Sequence, residues 1–399
     1  MVWKNNRQSR NAGSATATNH CKTFPHMHIH IIAGEISGDT HAAGLIRELR
    51  RLDPSVRFTG LGGQRMKEAG GLGIEDWVET AGVVGLWEVL KMYSYFKAKK
   101  AATEAQILSE RPDAVVLVDY PGFNLRVAKA LRAKGYTGKI IYYISPQVWA
   151  WKKGRVKIMA KVLDLMICIF PFEKSVYEQS GLPTIFGGHP MVDRVVSLRK
   201  NWKREKNLVG WFPGSRMNEV KRLLPIMLQA AYAIRLQQPD VRFCVSAAND
   251  TLANEMRHMA DAAGMPEAKG WVETGTVYDL MQRCQVGAVA SGTATLEAAC
   301  FGLPYALVYK VNTLTYHVAK QVVKIRHIGI INVLAGREVV REMVQADLNG
   351  DTLAAEMVRL LSDDAARESL TDDLAAVVAT LGEGGAYLRA AQAVYSAIR

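Results

Sequence analysis

The sequence predicts an α/β protein of two doubly wound lobes that face a central cleft. From Met27 onward, short apolar runs alternate with helical stretches, which is typical of parallel sheets covered by helices on both faces. The alternation stops at a charged stretch near residue 200 and then begins again. A chain of 399 residues is also long for one compact core, which favours two domains.

The first lobe is predicted to span residues 27–200. Its predicted strands are His28–Ala33, Val56–Leu61, Ala114–Asp119, Lys139–Ser145, Leu165–Phe170 and Thr184–Phe186. Its predicted helices are Gly38–Arg51, Leu86–Glu110, Phe123–Lys134 and Phe172–Ser180. The stretch Leu198–Asn207 is polar, highly charged and without strand pattern, and we interpret it as the linker.

The second lobe is predicted to span residues 207–363, with its ligands at the carboxyl ends of its strands. The predicted strands are Leu208–Phe212, Val241–Ser246, Gly287–Ala290 and Tyr305–Tyr309. The predicted helices are Glu219–Gln237, Thr251–Ala263, Thr293–Phe301 and Leu314–Ile325. The end of the chain, Thr352–Arg399, has only helical pattern, and residues 364–399 are expected either to pack on the first lobe or to be exchanged in a homodimer.

Composition narrows the class of partner. The formal net charge is +12, which suits an anionic partner such as nucleic acid, a nucleotide or a lipid headgroup, although a solvated basic surface gives the same number. The five cysteines are scattered without CxxC spacing, which argues against a zinc site or a disulfide framework. No apolar run reaches the roughly 20 residues of a membrane-spanning helix. Residues 1–26 are interpreted as a disordered tail or a start codon assigned too early.

Two turns of the first lobe carry candidate site residues. The segment Ile32–Asp39 places Ser37 and Asp39 near a helix N-terminus, where helix capping is the alternative role. The segment Val115–Asn124 delivers Asp119 at the carboxyl end of an apolar strand. A carboxylate there can act as a general base towards a hydroxyl, or it can simply cap the next helix.

Two further segments combine aromatic and basic residues. Tyr142–Trp151 is followed by a run of Lys and Arg, which fits nucleic-acid stacking, a membrane interface or simple core packing. Ala81–Phe96 is too apolar for one narrow helical stripe and ends in lysines. It therefore predicts either deep burial or contact with an anionic membrane surface.

The second lobe has two turns suited to phosphate. In Val209–Arg216 a strand runs into a Pro-Gly turn, so that Arg216 can pair bidentately with a phosphate. In Ala290–Glu297 a small hydroxylated turn opens a helix whose backbone N–H groups can hold an anion. Glu297 lies early in that helix and can accept from ribose hydroxyls. Together the two turns favour a nucleotide site.

These segments, in this order, resemble the lipid-A-disaccharide synthases. The likeness runs from about Met27 to the C-terminal helices, and its most specific parts are Pro146–Trp151 and Asn332–Arg337. The segments that carry it are Ala33–Asp39, Val118–Asn124, Ser145–Trp151, Phe170–Glu173, Gly188–Pro190, Pro213–Arg216, Ser291–Glu297 and Asn332–Arg337.

The resemblance implies an inverting, metal-independent glycosyltransferase of the two-lobed GT-B fold that needs no cofactor. The implied donor is UDP-2,3-diacylglucosamine and the implied acceptor is 2,3-diacylglucosamine 1-phosphate. Transfer would give the β-1,6-linked disaccharide 1-phosphate and UDP. The enzyme would act at the cytoplasmic face of the inner membrane as a peripheral protein without a nucleic-acid partner.

The resemblance also implies roles for individual residues. Asp119 would be the base that deprotonates the acceptor 6-hydroxyl. The family often has a second acidic residue in this segment, where this chain has Gly122, so the chemistry would depend on Asp119 alone. The expected UDP-binding residues are Ser215, Arg216, Ser291, Gly292, Thr293, Glu297 and Asn332. The expected acceptor or cleft residues are Glu35, Ser37, Gly38, Asp39, Gln147 and Trp149, and the expected membrane contacts are Val83, Val84, Leu86, Trp87 and Leu90.

Two other functions fit parts of the pattern. A UDP-sugar epimerase of the same fold would need the nucleotide site but not the apolar segment Ala81–Phe96. A basic RNA-binding α/β protein would use Tyr142–Trp151 and the Lys and Arg residues that follow it, but would have no use for Arg216 together with Glu297.

Overall fold

The computed structural model describes residues 27–78, 93–146, 154–312 and 326–399. Several predicted features therefore lie outside the described residues: the segment 1–26, the predicted helix Leu314–Ile325, and the residues Val83, Val84, Leu86, Trp87, Leu90, Gln147 and Trp149.

The first lobe contains a seven-stranded parallel sheet. Its strands are β1 His28–Ala33, β2 Arg57–Gly62, β3 Ile74–Asp76, β4 Ala114–Val118, β5 Lys139–Tyr143, β6 Leu165–Cys168 and β7 Thr184–Phe186. They lie in the order β3-β2-β1-β4-β5-β6-β7. The described helices of this lobe are α1 Ile36–Leu52, α2 Gln64–Gly70, α3 Tyr93–Glu110, α4 Pro121–Ala133, α5 Gly154–Val162, α6 Pro171–Glu178 and α7 Pro190–Leu198.

The second lobe repeats this architecture with six parallel strands. They are β8 Glu205–Phe212, β9 Arg242–Ala247, β10 Val272–Thr274, β11 Cys284–Ala290, β12 Tyr305–Tyr309 and β13 Glu342–Val344. The order is β10-β9-β8-β11-β12-β13. The described helices are α8 Met217–Gln237, α9 Asp250–Ala262, α10 Val277–Arg283, α11 Thr293–Cys300, α12 Ile330–Ala335, α13 Gly350–Ser362, α14 Asp364–Ala379 and α15 Ala386–Ile398, with short 3-10 turns at Pro266–Trp271 and Gln345–Asp347.

Burial explains why the central strands have continuous apolar sequences. All residues of β1, β4 and β11 are buried, because helices cover both faces of each sheet. The prediction of two doubly wound α/β lobes is therefore confirmed, and so is the purely helical end of the chain.

The last helix crosses back to the first lobe. Gly44 of α1 packs against the aromatic ring of Tyr387 in α15. A Cβ atom added to Gly44 would lie 2.5 Å from Tyr387 Cε1. The Asp193 carboxylate of α7 accepts the N–H of Ala386 at 2.9 Å, and Arg389 donates to the Gly187 carbonyl at 2.9 Å. These contacts belong to α15, whereas α14 packs against α11, α12 and α13 of the second lobe. The predicted domain limits and the homodimer stay predictions.

The structure corrects several predicted boundaries. Strands β4, β5 and β6 end one to two residues before the predicted limits, at Val118, Tyr143 and Cys168. The residues that follow β4 and β5 leave the extended conformation, with φ of 45° at Asp119 and 65° at Ile144. The three-residue edge strands β3, β10 and β13 were not predicted, whereas the equally short edge strand β7 was predicted with its observed bounds.

None of the described helices combines the length and the apolar character that a membrane-spanning helix needs.

Candidate functional site

Both sheets reverse their strand order at one point, and the candidate residues gather there. In the first sheet the reversal lies between β1 and β4, and in the second between β8 and β11. Ligands of doubly wound sheets bind in the crevice outside the strand ends at such a point. Glu35 and Asp119 follow β1 and β4, whereas Arg216 and Ser291 follow β8 and β11.

Asp119 lies on a strained turn that its neighbours hold in place. Asp119 and Tyr120 have φ of 45° and 47°, a left-handed backbone conformation that residues other than glycine rarely adopt. The buried side chain of Asn124 donates through Nδ2 to the carbonyl oxygens of Val118 at 3.2 Å and Asp119 at 2.7 Å. The Tyr142 hydroxyl donates to the same Asp119 carbonyl. The turn therefore presents the Asp119 carboxylate in one direction.

Gly34, the residue after β1, leaves room for this turn. A Cβ on Gly34 would lie 2.3 Å from the Tyr120 ring, so only glycine lets the ring pack there. The Tyr120 ring also contacts the buried Trp77 edge-on, with centroids 5.9 Å apart.

The environment of Asp119 makes its carboxyl group a better base. Burial, with a smaller contribution from the negative charge of Glu35, raises the pKa of Asp119 to about 6, against the opposing effect of the Tyr120 N–H. A general base works best when its pKa lies near the working pH. Asp119 is thus deprotonated at neutral pH and still able to take a proton.

A cavity of about 620 Å³ lies in the cleft between the lobes. First-lobe residues that line it include Ser37, Gly38 and Asp119, and the second lobe supplies Ser291, Gly292 and Thr293. The cavity size is in the range typical of small-molecule sites. Glu35 is not among its lining residues, although its charge acts on Asp119.

Two histidines of this cavity had no role in the sequence prediction. Burial lowers the pKa of His41 to about 4 and that of His189 to about 3, so both rings are neutral at pH 7. His189 Nδ1 accepts the Met191 N–H at 3.0 Å at the start of α7. His41 lies four residues after Ser37 in α1, so the two side chains share one helix face. This spacing is the sequence feature from which a cleft position of His41 could have been predicted.

A second cavity, of about 470 Å³, lies wholly in the second lobe. Its lining includes the predicted donor residues Ser215, Arg216, Ser291, Gly292, Thr293 and Glu297. The side chain of Arg216 is 82 % exposed at the rim, where its guanidinium lies 3.1 Å from the Glu219 carboxylate. Glu297 accepts a hydrogen bond from the Tyr278 hydroxyl at 2.8 Å.

The turn of residues 291–293 forms a wall shared by both cavities. Gly292 has φ of 151°, a conformation that residues with a side chain rarely adopt. Thr293 is the first residue of α11. The first backbone N–H groups of a helix lack partners within the helix and favour an anion. An anion held at this turn would therefore lie between Asp119 on one side and Arg216 on the other.

Two of the predicted site residues make hydrogen bonds within their own lobe. The Asp39 carboxylate accepts the N–H groups of Gly63 at 2.7 Å and Met66 at 3.0 Å, at the start of α2. The Asn332 side chain is buried, donates to the Val340 carbonyl at 2.7 Å and accepts the Val340 N–H at 2.9 Å. Both side chains hold loops of their own lobe and line neither cavity.

In the described part of the chain, no three His, Cys, Asp or Glu side chains come together as a group that could hold a metal ion.

Comparison with known sequences gives one consistent result. A family model described as lipid-A-disaccharide synthetase matches residues 29–396. A lipid-A-disaccharide synthase of Geobacter sulfurreducens is 42% identical over 374 residues, which cover 91% of this chain and 95% of that protein. A protein of the same name from Nitrosococcus oceani is 39% identical over 370 residues, covering 89% and 92%.

Solved structures share the fold at low sequence identity. A putative UDP-N-acetylglucosamine 2-epimerase from Listeria monocytogenes has a TM-score of 0.63 at 13% identity, covering 94% of this chain and 96% of that one. The glycosyltransferase of kitacinnamycin has a TM-score of 0.60 at 16% identity, covering 94% and 99%. The two-lobed GT-B architecture is therefore confirmed, and at these identities the likeness extends to the fold alone.

Proposed function

The chain belongs to the lipid-A-disaccharide synthetase family and is a glycosyltransferase of lipid A biosynthesis, and from this premise we propose how its residues carry out the transfer. The donor is UDP-2,3-diacylglucosamine, held in the second-lobe cavity, and the acceptor is 2,3-diacylglucosamine 1-phosphate, held in the cleft. The observation that carries the proposal is the turn of residues 291–293, which lines both cavities.

In the proposed step, the Asp119 carboxylate takes the proton of the acceptor 6-hydroxyl. The 6-oxygen then forms a bond to the donor anomeric carbon, and the bond from that carbon to the β-phosphate oxygen breaks. Attack from the face opposite the leaving group inverts the anomeric centre. The products are the β-1,6-linked disaccharide 1-phosphate and UDP, with the proton on Asp119.

The charge that develops on the departing UDP needs stabilisation at the second lobe. The guanidinium of Arg216 can bind the phosphates bidentately, and the backbone N–H groups at the start of α11 supply further donors. Glu297 is suited to accept from the ribose hydroxyls. The backbone N–H groups are fixed by the fold before the substrate arrives, so they stabilise the charge without reorganisation.

Membrane association is also part of the proposal. Both substrates are acylated, and the net charge of +12 suits an anionic lipid surface. The enzyme is proposed to act as a peripheral protein at the cytoplasmic face of the inner membrane, with the apolar segment 81–96 in contact with lipid. The proposal also includes a homodimer with exchanged C-terminal segments.

The test is transfer between purified lipid substrates by Asp119→Asn, with Asp76→Asn as the matched control at an exposed position in β3. Asp119→Asn should lose transfer by several orders of magnitude and bind UDP as the wild type does, whereas Asp76→Asn should behave like the wild type. Full transfer by Asp119→Asn would refute the base.

The epimerase alternative is distinguished in the same experiment. The solved epimerase named above shares only the fold with this chain, whereas the relatives at about 40% identity carry the synthase name. An epimerase would convert a UDP-sugar without any acceptor. Conversion of the donor alone, with no disaccharide formed, would favour that alternative.

A further inference from the structure

A third cavity, of about 460 Å³, lies on the first lobe between α3 and α4. Among the described residues that line it none is acidic, and the proposed transfer does not use the cavity. The lining residues are Tyr93, Phe96, Lys97, Lys100, Tyr120, Gly122, Phe123 and Arg126. We call it the aromatic cavity.

The aromatic cavity shares a wall with the cleft. Along the turn that opens α4, Asp119 and Pro121 line the cleft, whereas Tyr120 and Gly122 line the aromatic cavity. Successive residues from 119 to 122 therefore line the two cavities in alternation. A ligand that reaches from one cavity to the other would therefore pass beside the proposed base.

The floor of the aromatic cavity is a preformed apolar surface. The rings of Phe96, Tyr120 and Phe123 all pack on the buried Trp77, with centroid distances of 6.3, 5.9 and 4.8 Å. Trp77 itself is anchored by its Nε1–H, which donates to the Ala33 carbonyl at 2.6 Å. Because the rings hold one another, the floor requires little ordering when an apolar chain binds.

The rim of the cavity is cationic. Lys97 and Arg126 are exposed and make no ion pair with any described residue, whereas Lys100 pairs with Glu104. An apolar floor with a positive rim is complementary to a lipid that has an acyl chain and a phosphate. A nucleotide or a free sugar is less suitable, because the apolar floor would leave most of its buried polar groups without hydrogen-bond partners.

We propose that the aromatic cavity binds an acyl chain of the anionic glycolipid acceptor, with the acceptor phosphate near Lys97 and Arg126. The acceptor is favoured over the donor because the shared wall carries Asp119, whereas the nucleotide cavity lies on the other lobe. This inference rests on the proposed function. The aromatic cavity would be an additional binding site, in which the bound acyl chain orients the 6-hydroxyl of the acceptor.

The first test fills the cavity. A Cβ on Gly122 meets no atom within 4 Å, so Gly122→Leu can project into the cavity without a backbone clash. Gly270 in the second lobe is also exposed with open space around its Cβ, and Gly270→Leu is the matched control. KM and kcat are measured with monomeric acceptors whose acyl chains differ by single methylenes.

In the wild type and in Gly270→Leu, each methylene that enters the cavity should lower the acceptor KM about fourfold. In Gly122→Leu this dependence should flatten, while the KM of the donor stays the same. An unchanged dependence in a folded Gly122→Leu protein would overturn the inference.

The second test removes charge from the rim. Arg126→Gln should raise the acceptor KM about tenfold with the phosphorylated acceptor and leave it unchanged with a dephosphorylated one. Lys129→Gln, one turn further along α4 and outside the cavity lining, is the control and should change neither value. An equal effect of Arg126→Gln on both acceptors would refute the phosphate contact.

The two levels of failure can be told apart. If the proposed function is wrong, the wild type forms no disaccharide with any acceptor. If only this inference is wrong, the wild type transfers normally and the chain-length and phosphate dependences are the same in the variants.

Discussion

The substitution Asn124→Leu tests whether the strained turn at Asp119 is built for catalysis. Asn124 is fully buried, and its side-chain amide donates to the carbonyls of Val118 at 3.2 Å and Asp119 at 2.7 Å. Leucine has a similar shape and removes both donors while leaving the apolar contacts of the site largely filled.

The expected loss of stability follows from these two bonds. A hydrogen bond contributes about 1 kcal/mol net, so Asn124→Leu should cost about 2 kcal/mol in the free energy of unfolding. With a urea dependence of about 3 kcal/mol per molar, the midpoint of unfolding should fall by about 0.7 M. Because Tyr142 still donates to the Asp119 carbonyl, the turn should persist in a looser form.

The functional effect should exceed the loss of stability. A displacement of about 1 Å at a reacting group can cost about 100-fold in rate, so kcat should fall by about that factor while UDP affinity stays the same. Transfer assays and UDP titration calorimetry measure the two quantities. Tyr142→Phe removes the other donor to the same carbonyl, and its effect on kcat should be non-additive with that of Asn124→Leu.

A catalytic role of the turn is refuted if Asn124→Leu loses about 2 kcal/mol of stability and keeps the wild-type kcat. The turn would then matter for folding alone.

Three other outcomes are expected. The transfer rate should fall as the pH drops through about 6, because burial raises the pKa of Asp119 to that value and the base must be deprotonated. Glu35→Gln removes a negative charge that raises the pKa of Asp119, so it should shift the acid limb of the pH–rate profile to lower pH. Arg216→Ala should weaken UDP binding about 10- to 100-fold in calorimetry, since it removes charge-assisted hydrogen bonds. Gly44→Ala puts a Cβ 2.5 Å from the Tyr387 ring and should cost about 1–3 kcal/mol of stability in urea denaturation.

Controls for these three experiments come from the same elements. Arg222→Ala, further along α8, should leave UDP affinity unchanged. Gly135 would be a poor control for Gly44→Ala because its φ is 79°, whereas Gly270 has open space and is suitable. An acid limb that does not move in Glu35→Gln would contradict the assigned electrostatics, and wild-type stability of Gly44→Ala would contradict the described packing of α15.

The features that sequence could predict are those encoded locally. Asp119 could be identified because an apolar strand ends abruptly at Pro121, and Arg216 because Pro213 and Gly214 break β8 before a helix. The two sheets could be predicted because short continuous apolar runs between helical stretches are typical of strands buried on both faces.

The features that sequence could not predict depend on distant partners. Asp39 meets its partners at Gly63 and Met66, more than 20 residues away, so it could not be distinguished from a cleft residue. The same holds for the aromatic cavity, whose floor depends on Trp77 packing against Phe123 from another part of the chain. Neither contact has a periodic signature.

The return of α15 to the first lobe also has a consequence for synthesis of the chain. Roughly 190 residues separate Leu198, the end of α7, from Ala386, and at about 5 to 20 residues per second a ribosome takes on the order of 10 to 40 s to make them. During that time the face of α1 around Gly44, which Tyr387 later covers, is open on the nascent lobe. A ribosome-bound first lobe should therefore recruit chaperones that bind apolar surface, and should release them only after the last helix has emerged.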